Sequence, residues 1–342
     1  MIYRSKAPLR IGLAGGGTDV SPFSDIYGGS ILNVTINLYA HASISPRNDG
    51  KIILNAVDRE ERFEYDSQDK LEIDGHLDLQ KGVYNRLVKD YDLEPLSFEL
   101  CTCIDAPSGS GLGTSSTLVV AIIGAFAEWF QLPLGEYDMA RLAYSIERED
   151  LKMAGGKQDQ YAATFGGVNF MEFYADNKVI VNPLRIKPEI LHELEFHLLL
   201  YYTKTSRESS LIIEEQSQNV EDSKGDSIEA TKNLKRQALM MKEAILKNEL
   251  GKIGEILDFG WQNKKRMAHK ISNSLIDKTY NSAIKAGASG GKISGAGGGG
   301  FMIFYCPGNS KYDVIKVLNK MGGNMQAYNF VEKGITTWTS NQ

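Results

Sequence analysis

Eleven consecutive residues, Pro107-Ser108-Gly109-Ser110-Gly111-Leu112-Gly113-Thr114-Ser115-Ser116-Thr117, combine three glycines with six hydroxyl side chains. They stand between an apolar strand-like run and an apolar-striped helical one. Glycines let a backbone approach an anion without Cβ obstruction and adopt positive φ, and the helix that follows offers unpaired N–H groups and a positive dipole end. Anion binding, with phosphate the natural ligand, follows from that pattern. The hydroxyls of Thr114, Ser115 and Ser116 can cap the helix or reach a phosphate-bound Mg²⁺. The loop is not of the GxxxxGK[ST] type, since no lysine precedes its last hydroxyl, and it does not satisfy GxGxxG.

Two further glycine runs flank this one at long range. The first, Ala7-Pro8-Leu9-Arg10-Ile11-Gly12-Leu13-Ala14-Gly15-Gly16-Gly17-Thr18-Asp19, carries a guanidinium able to offset phosphoryl charge and a carboxylate able to accept paired hydroxyls. The other is Lys292-Ile293-Ser294-Gly295-Ala296-Gly297-Gly298-Gly299-Gly300. Between them lie Ile146-Glu147-Arg148-Glu149-Asp150 and Gly155-Gly156-Lys157-Gln158-Asp159-Gln160. On chemistry alone Glu147, Glu149 and Asp150 are all candidate metal ligands. Asp159 reads either as a base for a hydroxyl or as a helix N-cap, and Lys157 either as a phosphate partner or as a solvated charge.

Three runs of different wording, in this order, resemble the three motifs of the GHMP kinases, the family of galactokinase, homoserine kinase and mevalonate kinase. The resemblance implies a two-lobed α+β fold. An N-terminal α/β lobe (residues 1–185) would be followed by a ferredoxin-like C-terminal lobe with added helices (186–342), the nucleotide and substrate lying in the cleft between them. It implies ATP held by Pro107 to Ser116, Mg²⁺ held by Ser115 and Glu147, Asp159 as the catalytic base and Arg10 beside the transferring phosphoryl group. Gly16, Gly17, Thr18, Asp19 and Gly297 would face the acceptor. In one respect the chain departs from galactokinase-like members, which carry Gly-Glu-His before Thr-Asp where this chain has Gly-Gly-Gly, so the sugar site must differ in shape and polarity.

Gly-Gly-Gly-Thr-Asp, Gly-Gly-Lys-Gln-Asp-Gln-Tyr-Ala-Ala and Thr-Lys-Thr-Ser-Arg-Glu-Ser-Ser are similar to the branch that phosphorylates anomeric hydroxyls. The acceptor implied is D-glycero-D-manno-heptose 7-phosphate, giving the 1,7-bisphosphate, with a free 6-deoxyhexose such as fucose as its rival. An acceptor that already carries a phosphate needs positive groups, for which Lys204, Ser206 and Arg207 are candidates, with Lys81, Tyr84 and Arg86 as weaker candidates for the same pocket. A non-catalytic sensor would usually show a broken loop or a missing carboxylate, and neither is seen.

The elements that must position these groups are legible as patterns. Strands are expected at Ser30 to Ile36, Tyr39 to Ser45, Lys51 to Val57 and Phe98 to Ile104, and helices at Leu77 to Tyr91, from Thr114, and at Tyr137 to Asp150. A hairpin is expected around Ala175-Asp176-Asn177, a buried strand at Leu194 to Tyr202, and three or four helices from Glu208 to Ala286 with a mobile polar middle at Ser217 to Ser227. Strand, helix and strand close the chain at Phe301 to Tyr305, Lys311 to Met321 and Asn324 to Val331.

With 42% hydrophobic and 24% charged residues over 342, the chain can bury a large core and is not of disordered composition. A net charge of −5 without a long basic run argues against nucleic-acid binding. Three cysteines without paired spacing, Cys101, Cys103 and Cys306, suggest neither a disulfide framework nor a zinc site. With no leader and no apolar run of membrane-spanning length, a cytoplasmic protein without membrane partners is expected.

Overall fold

The computed structural model describes residues 1–205 and 209–341. Strand β1 (Ile2–Ala14) lies beside β2 (Gly29–Pro46), an 18-residue strand that the sequence reading divides in two. Helix α1 (Phe23–Tyr27) fills the gap between them. Because β2 is so long, its first half pairs with β6 (Val168–Phe173) and its second half with β5 (Phe98–Ile104). Next come β3 (Lys51–Ala56) and β4 (Glu61–Asp66), while β7 (Val179–Pro183) closes a hairpin with β6. Only the β3–β5 contact is parallel among these pairs. Four more helices belong to this lobe: α2 (Asp78–Asp90), α3 (Thr114–Phe130), α4 (Glu136–Ser145) and α5 (Gln158–Phe165).

The second lobe has a four-stranded antiparallel sheet of β8 (Leu198–Tyr202), β9 (Gly290–Ile293), β10 (Phe301–Tyr305) and β11 (Asn324–Gln326), ordered β11-β8-β10-β9. Its helices are α6 (Pro188–His197), α7 (Ser209–Glu221), α8 (Gly225–Leu246), α9 (Ile253–Lys264), α10 (Ser274–Lys285) and α11 (Lys311–Leu318). The last strand, β12 (Thr336–Ser340), pairs with Ile2 to Lys6 of β1, so the first sheet is not built from residues before 185 alone.

Several expectations are corrected. Leu194 to His197 belong to α6, which starts with Pro188 at its first turn, where a missing N–H costs nothing. The strand begins only at Leu198. Ser217 to Ser227 is ordered helix, tight turn and helix. Its polar side chains make tertiary bonds: Asn219 Nδ2 and Ser227 Oγ both donate to the Met267 carbonyl, at 2.8 and 3.0 Å. Asn324 to Val331 is a strand only as far as Gln326, and Phe330 then forms a single bridge to Ile36.

The hydrophobic core joins the elements that flank the cleft. In one cluster Phe98, Phe126, Val119 and Ile122 pack α3 onto the first sheet. In another, Leu9, Ile11 and Leu13 of β1 meet Met241 and Ile245 of α8, Leu257 of α9 and Leu200 and Ile303 of the second sheet, so the two lobes share one core. β1 is therefore covered on both faces, and Ala7 to Ala14 form a continuously buried run. Alternation then sends Leu9, Ile11 and Leu13 to the core and leaves Arg10 and Gly12 lining the cleft. No described helix is long and apolar enough to cross a membrane.

Candidate active site

The cleft has a volume of about 760 Å³ and is lined by all three glycine motifs together with Glu147 and Asp159. The loop Ser108 to Ser116 ends on α3, whose N-cap is Gly113 in the left-handed region, φ 81°. Glycine has no capping side chain and none is supplied, so the first N–H groups of a 17-residue helix are left for a ligand. The expectation that Thr114, Ser115 or Ser116 caps this helix is corrected: these three residues lie inside its first turn. Ser108, Gly109, Gly111, Gly113, Thr114, Ser115 and Ser116 line the cleft. Pro107 is exposed, while Leu112 and Ser110 are buried and do not line it.

The loop is held by the other two motifs. Arg10 N–H donates to the Leu112 carbonyl at 3.2 Å and Arg10 Nη1 to the Gly111 carbonyl at 2.7 Å. From the third motif, Ser294 Oγ also donates to Gly111 at 2.8 Å, and Phe301 N–H donates to Ser110 at 2.9 Å. A Cβ on Gly111, which sits at φ 82°, would meet the Ser294 carbonyl oxygen at 2.3 Å. Close backbone approach is thus what that glycine provides.

Arg10 is almost fully buried and its Nε donates to Asp159 Oδ1 at 2.7 Å. Asp159 retains more exposure, and a Cβ on Gly113 would lie 3.0 Å from its Cγ. The carboxylate therefore abuts the end of the anion loop. It is not a helix N-cap, since it lies in the second position of α5. The group that satisfies the start of α5 comes from far away: Asp19 Oδ2 accepts the N–H groups of Lys157 and Gln158, at 2.9 and 3.1 Å. Asp19 Oδ1 accepts from Gly17 N–H at 3.3 Å. Burial and the nearby Asp159 charge hold the Asp19 carboxyl above its ordinary range, with the Gln158 N–H and Lys264 opposing. Asp19 lines the cleft, yet both its oxygens are engaged, Oδ2 in fixing the start of the helix that carries Asp159 and Oδ1 in closing the glycine turn.

Glu147 lies on a short π-helical stretch, residues 146–150, that continues α4. A π-turn inserts a residue into the helix and redirects one side chain, here inward. Glu147 Oε2 accepts from Gln160 Nε2, which also donates to Ser116 Oγ at 3.0 Å. Its buried Oε1 has no hydrogen-bond partner, the nearest cation being Arg148 Nη1 at 3.7 Å. A buried carboxyl oxygen left without a donor, in a cleft lined by the glycine-rich loop, has the chemistry of a cation ligand. Among the described residues no cluster of three or more His, Cys, Asp or Glu could hold a metal by itself. Phosphate oxygens would have to complete its shell.

Other sequence expectations are redistributed. Gly16 and Gly17 line the cleft, whereas Thr18 is fully buried, its hydroxyl donating to the carbonyls of Gly15 and Ser30, and Gly297 packs behind the wall against Ile271. Lys157 neither meets the cleft nor is solvated: its buried ammonium lies 3.0 Å from Asp25. Lys204 is exposed and away from the cleft, and Ser206 and Arg207 fall outside the described residues. Lys81 pairs with Asp74, Tyr84 packs in the first-lobe core and Arg86 pairs with Asp90 and Asp150, none of them in the cleft.

The sequence reading passed over two lysines. Lys264 at the end of α9 is buried, and Nζ donates to the Gly16 carbonyl at 3.1 Å. Burial pushes its ammonium down to about 8, with Asp19 opposing and Arg10 reinforcing. Half-buried Lys292 opens the third motif, and its Nζ lies 3.9 Å from where a Gly12 Cβ would be. Burial, Lys264 and Arg10 together push it to about 7. Lys292 carried a signal in its place beside the glycines, but Lys264, in the run Lys264-Lys265-Arg266, looks like a solvated helix charge.

Residues 78–167 match the GHMP kinases N terminal domain and residues 241–326 the GHMP kinases C terminal domain. A D-glycero-alpha-D-manno-heptose 7-phosphate kinase of Campylobacter jejuni is 51% identical over 335 residues, 98% of this chain and 98% of that protein. This chain belongs to the GHMP kinases. As a GHMP kinase it is an ATP-dependent enzyme, and its fold agrees with a solved relative. The crystal structure described as a D-glycero-D-manno-heptose 1-phosphate kinase from Bacteroides thetaiotaomicron superposes with a TM-score of 0.85 at 47% identity, covering 99% of this GHMP kinase and 100% of that chain. A more distant relative, the L-fucokinase/L-fucose-1-P guanylyltransferase of Bacteroides fragilis, is 27% identical over 97% of this chain but only 37% of its own length.

Proposed function

We propose that this kinase transfers the γ-phosphoryl group of ATP to the anomeric hydroxyl of D-glycero-D-manno-heptose 7-phosphate, giving the 1,7-bisphosphate and ADP. The observation that carries the reading is the Arg10–Asp159 pair, 2.7 Å apart, set against Gly113 at the end of the anion loop. Phosphoryl transfer asks for an aligned acceptor hydroxyl, a place for its proton and positive charge around the moving group. Asp159 takes the proton and orients the hydroxyl, and Arg10 holds that carboxylate while opposing the charge that develops on the phosphoryl oxygens. Backbone N–H groups from Gly109 to Ser116 hold the nucleotide phosphates.

Glu147 Oε1 and Ser115 Oγ, which line the same cleft, fit Mg²⁺ as two oxygen ligands, the remainder coming from phosphates and water. When bound, Mg²⁺ would draw negative charge from the phosphate oxygens. An anomeric hydroxyl suits a carboxylate base because the ring oxygen makes it the most acidic hydroxyl of a sugar. The 51% identity to a heptose 7-phosphate kinase supports this acceptor.

The test is a phosphorylation screen over phosphorylated heptoses, free heptoses and free hexoses including fucose, with ³¹P and ¹³C NMR locating the new ester. A 1,7-bisphosphate made in preference to any product from a free sugar is the expected result. Turnover of free sugars with none of the sugar phosphate would sink the acceptor assignment.

A further inference from the structure

The mechanism above uses Arg10, Asp159, Glu147 and the loop, yet the same cleft contains a polar group of residues with no role in it. Lys264 and Gln216 come from α9 and α7, and they meet at Gly17: a Cβ there would lie 3.0 Å from Lys264 Nζ and 3.3 Å from Gln216 Oε1. Both line the cleft and both are buried. Gln216 Nε2 has no hydrogen-bond partner, and Lys264 Nζ has only the Gly16 carbonyl, with no carboxylate within salt-bridge distance among the described residues. Burying an amide donor and an ammonium without their partners is costly, so a wall built this way is complementary to something that enters it.

The complement must be an acceptor-rich anion. Lys264 brings a positive charge and Gln216 an N–H₂ donor, and the adjoining Gly16-Gly17 backbone leaves room because it bears no side chain. The group is distinct from the nucleotide loop, which meets the first motif at Arg10 rather than at the glycine turn. It nevertheless belongs to the same reaction space, since the Asp19 carboxyl senses both Asp159 and Lys264.

We propose that Lys264 and Gln216, against the Gly16-Gly17 turn, form the subsite for the phosphate that the acceptor already carries. This rests on the sugar-phosphate reading above and replaces Lys204 in that role. The subsite makes the enzyme select a phosphorylated sugar: without the phosphate, a buried ammonium and a buried amide stay unpaired in the complex, and binding loses their contribution.

The experiment compares wild type, Lys264→Gln, Lys264→Arg and Gln216→Leu with heptose 7-phosphate and with the same heptose lacking the phosphate. Lys264→Gln is expected to raise KM for the phosphorylated heptose on the order of 100-fold, as for loss of one partner of a buried charged pair. The preference for the phosphorylated over the unphosphorylated heptose, as the ratio of their kcat/KM values, falls by the same order while KM for ATP stays near wild type, and Lys264→Arg restores part of the loss. Gln216→Leu shifts the same KM in the same direction by a smaller factor and, keeping the lysine, remains informative if Lys264→Gln folds poorly. Equal losses on both heptoses, or a rise in KM for ATP, overturns the subsite while leaving the acceptor assignment intact. A wild-type enzyme that does not distinguish the two heptoses overturns the acceptor assignment itself, and the subsite with it.

Discussion

In the proposed mechanism Asp159 must both accept a proton and stay fixed, and two residues serve the second demand. Arg10 holds it in position from β1, and Asp19 secures the helix turn beneath it. Replacing Asp159 by Asn keeps the shape but removes the proton acceptor. Steady-state ADP release should fall roughly 100- to 10,000-fold in kcat, as for loss of general-base catalysis, with KM values little altered. Unchanged turnover would remove Asp159 from the mechanism.

The lysines give a second expectation at this scale. Burial holds the Lys264 and Lys292 ammonium groups down at about 8 and about 7, against an ordinary 10.5. A bound polyanion favours their charged forms, so ligand binding takes up protons above pH about 7 and weakens as pH rises through that range. Calorimetry of sugar-phosphate binding in two buffers of different ionisation enthalpy should register that uptake at pH 8 and much less at pH 6. The sign for folding is opposite. Between the lowered values and 10.5 the unfolded chain binds more protons than the native state, so these lysines favour stability more as pH rises through that window. A measured proton release on binding would contradict the assignment.

At the scale of elements, the junction of loop, strand and helix depends on backbone contacts that side chains would block. Gly113 joins the anion loop to α3 at φ 81° and lies against Asp159. Gly113→Ala should cost about 1–2 kcal/mol of stability from the left-handed conformation alone. It should also displace the Asp159 carboxylate, so that kcat falls much further than the modest drop in Tm would suggest. A variant losing stability but retaining full kcat would show that the loop and the carboxylate are not coupled. The π-turn at residues 146–150 works similarly, because it turns Glu147 inward where an uninterrupted α-helix would set a different face toward the cleft.

At the scale of the whole molecule, the lobes cannot be treated as separable pieces. Leu9, Ile11 and Leu13 share a core with α8, α9 and the second sheet, and β12 covers the edge of β1. Thr337 and Thr339 add hydroxyl bonds to Glu128 of α3 at 2.7 and 2.8 Å. Truncation before Thr336 should therefore lower Tm and promote association through the uncovered β1 edge. Thermal unfolding and light scattering would check this, and a monomeric truncated chain of unchanged Tm would refute it.

Much of this was legible in the sequence because it is local. Helical spacing and a short apolar run marked α2 and β10 nearly to the residue and the start of α3, and glycine runs marked close-approaching backbone. Polarity misled where a tertiary partner stood behind it: Asn219 and Ser227 looked like loop residues because the Met267 carbonyl they bind lies some 40 or more positions away. For the same reason Lys157 could not be told from a solvated charge and Lys264 did not stand out at all.

The anion loop, its flanking motifs and the presence of Arg10, Glu147 and Asp159 were determined by the sequence itself, since residue type and short spacing carry that chemistry. Which of them meet, and at what distance, was decided by the tertiary structure. Only the fold could set Asp19 under α5, leave Glu147 Oε1 without a donor and bury Lys264 beside Gly17, because burial and pairing depend on chain segments that sequence distance does not relate.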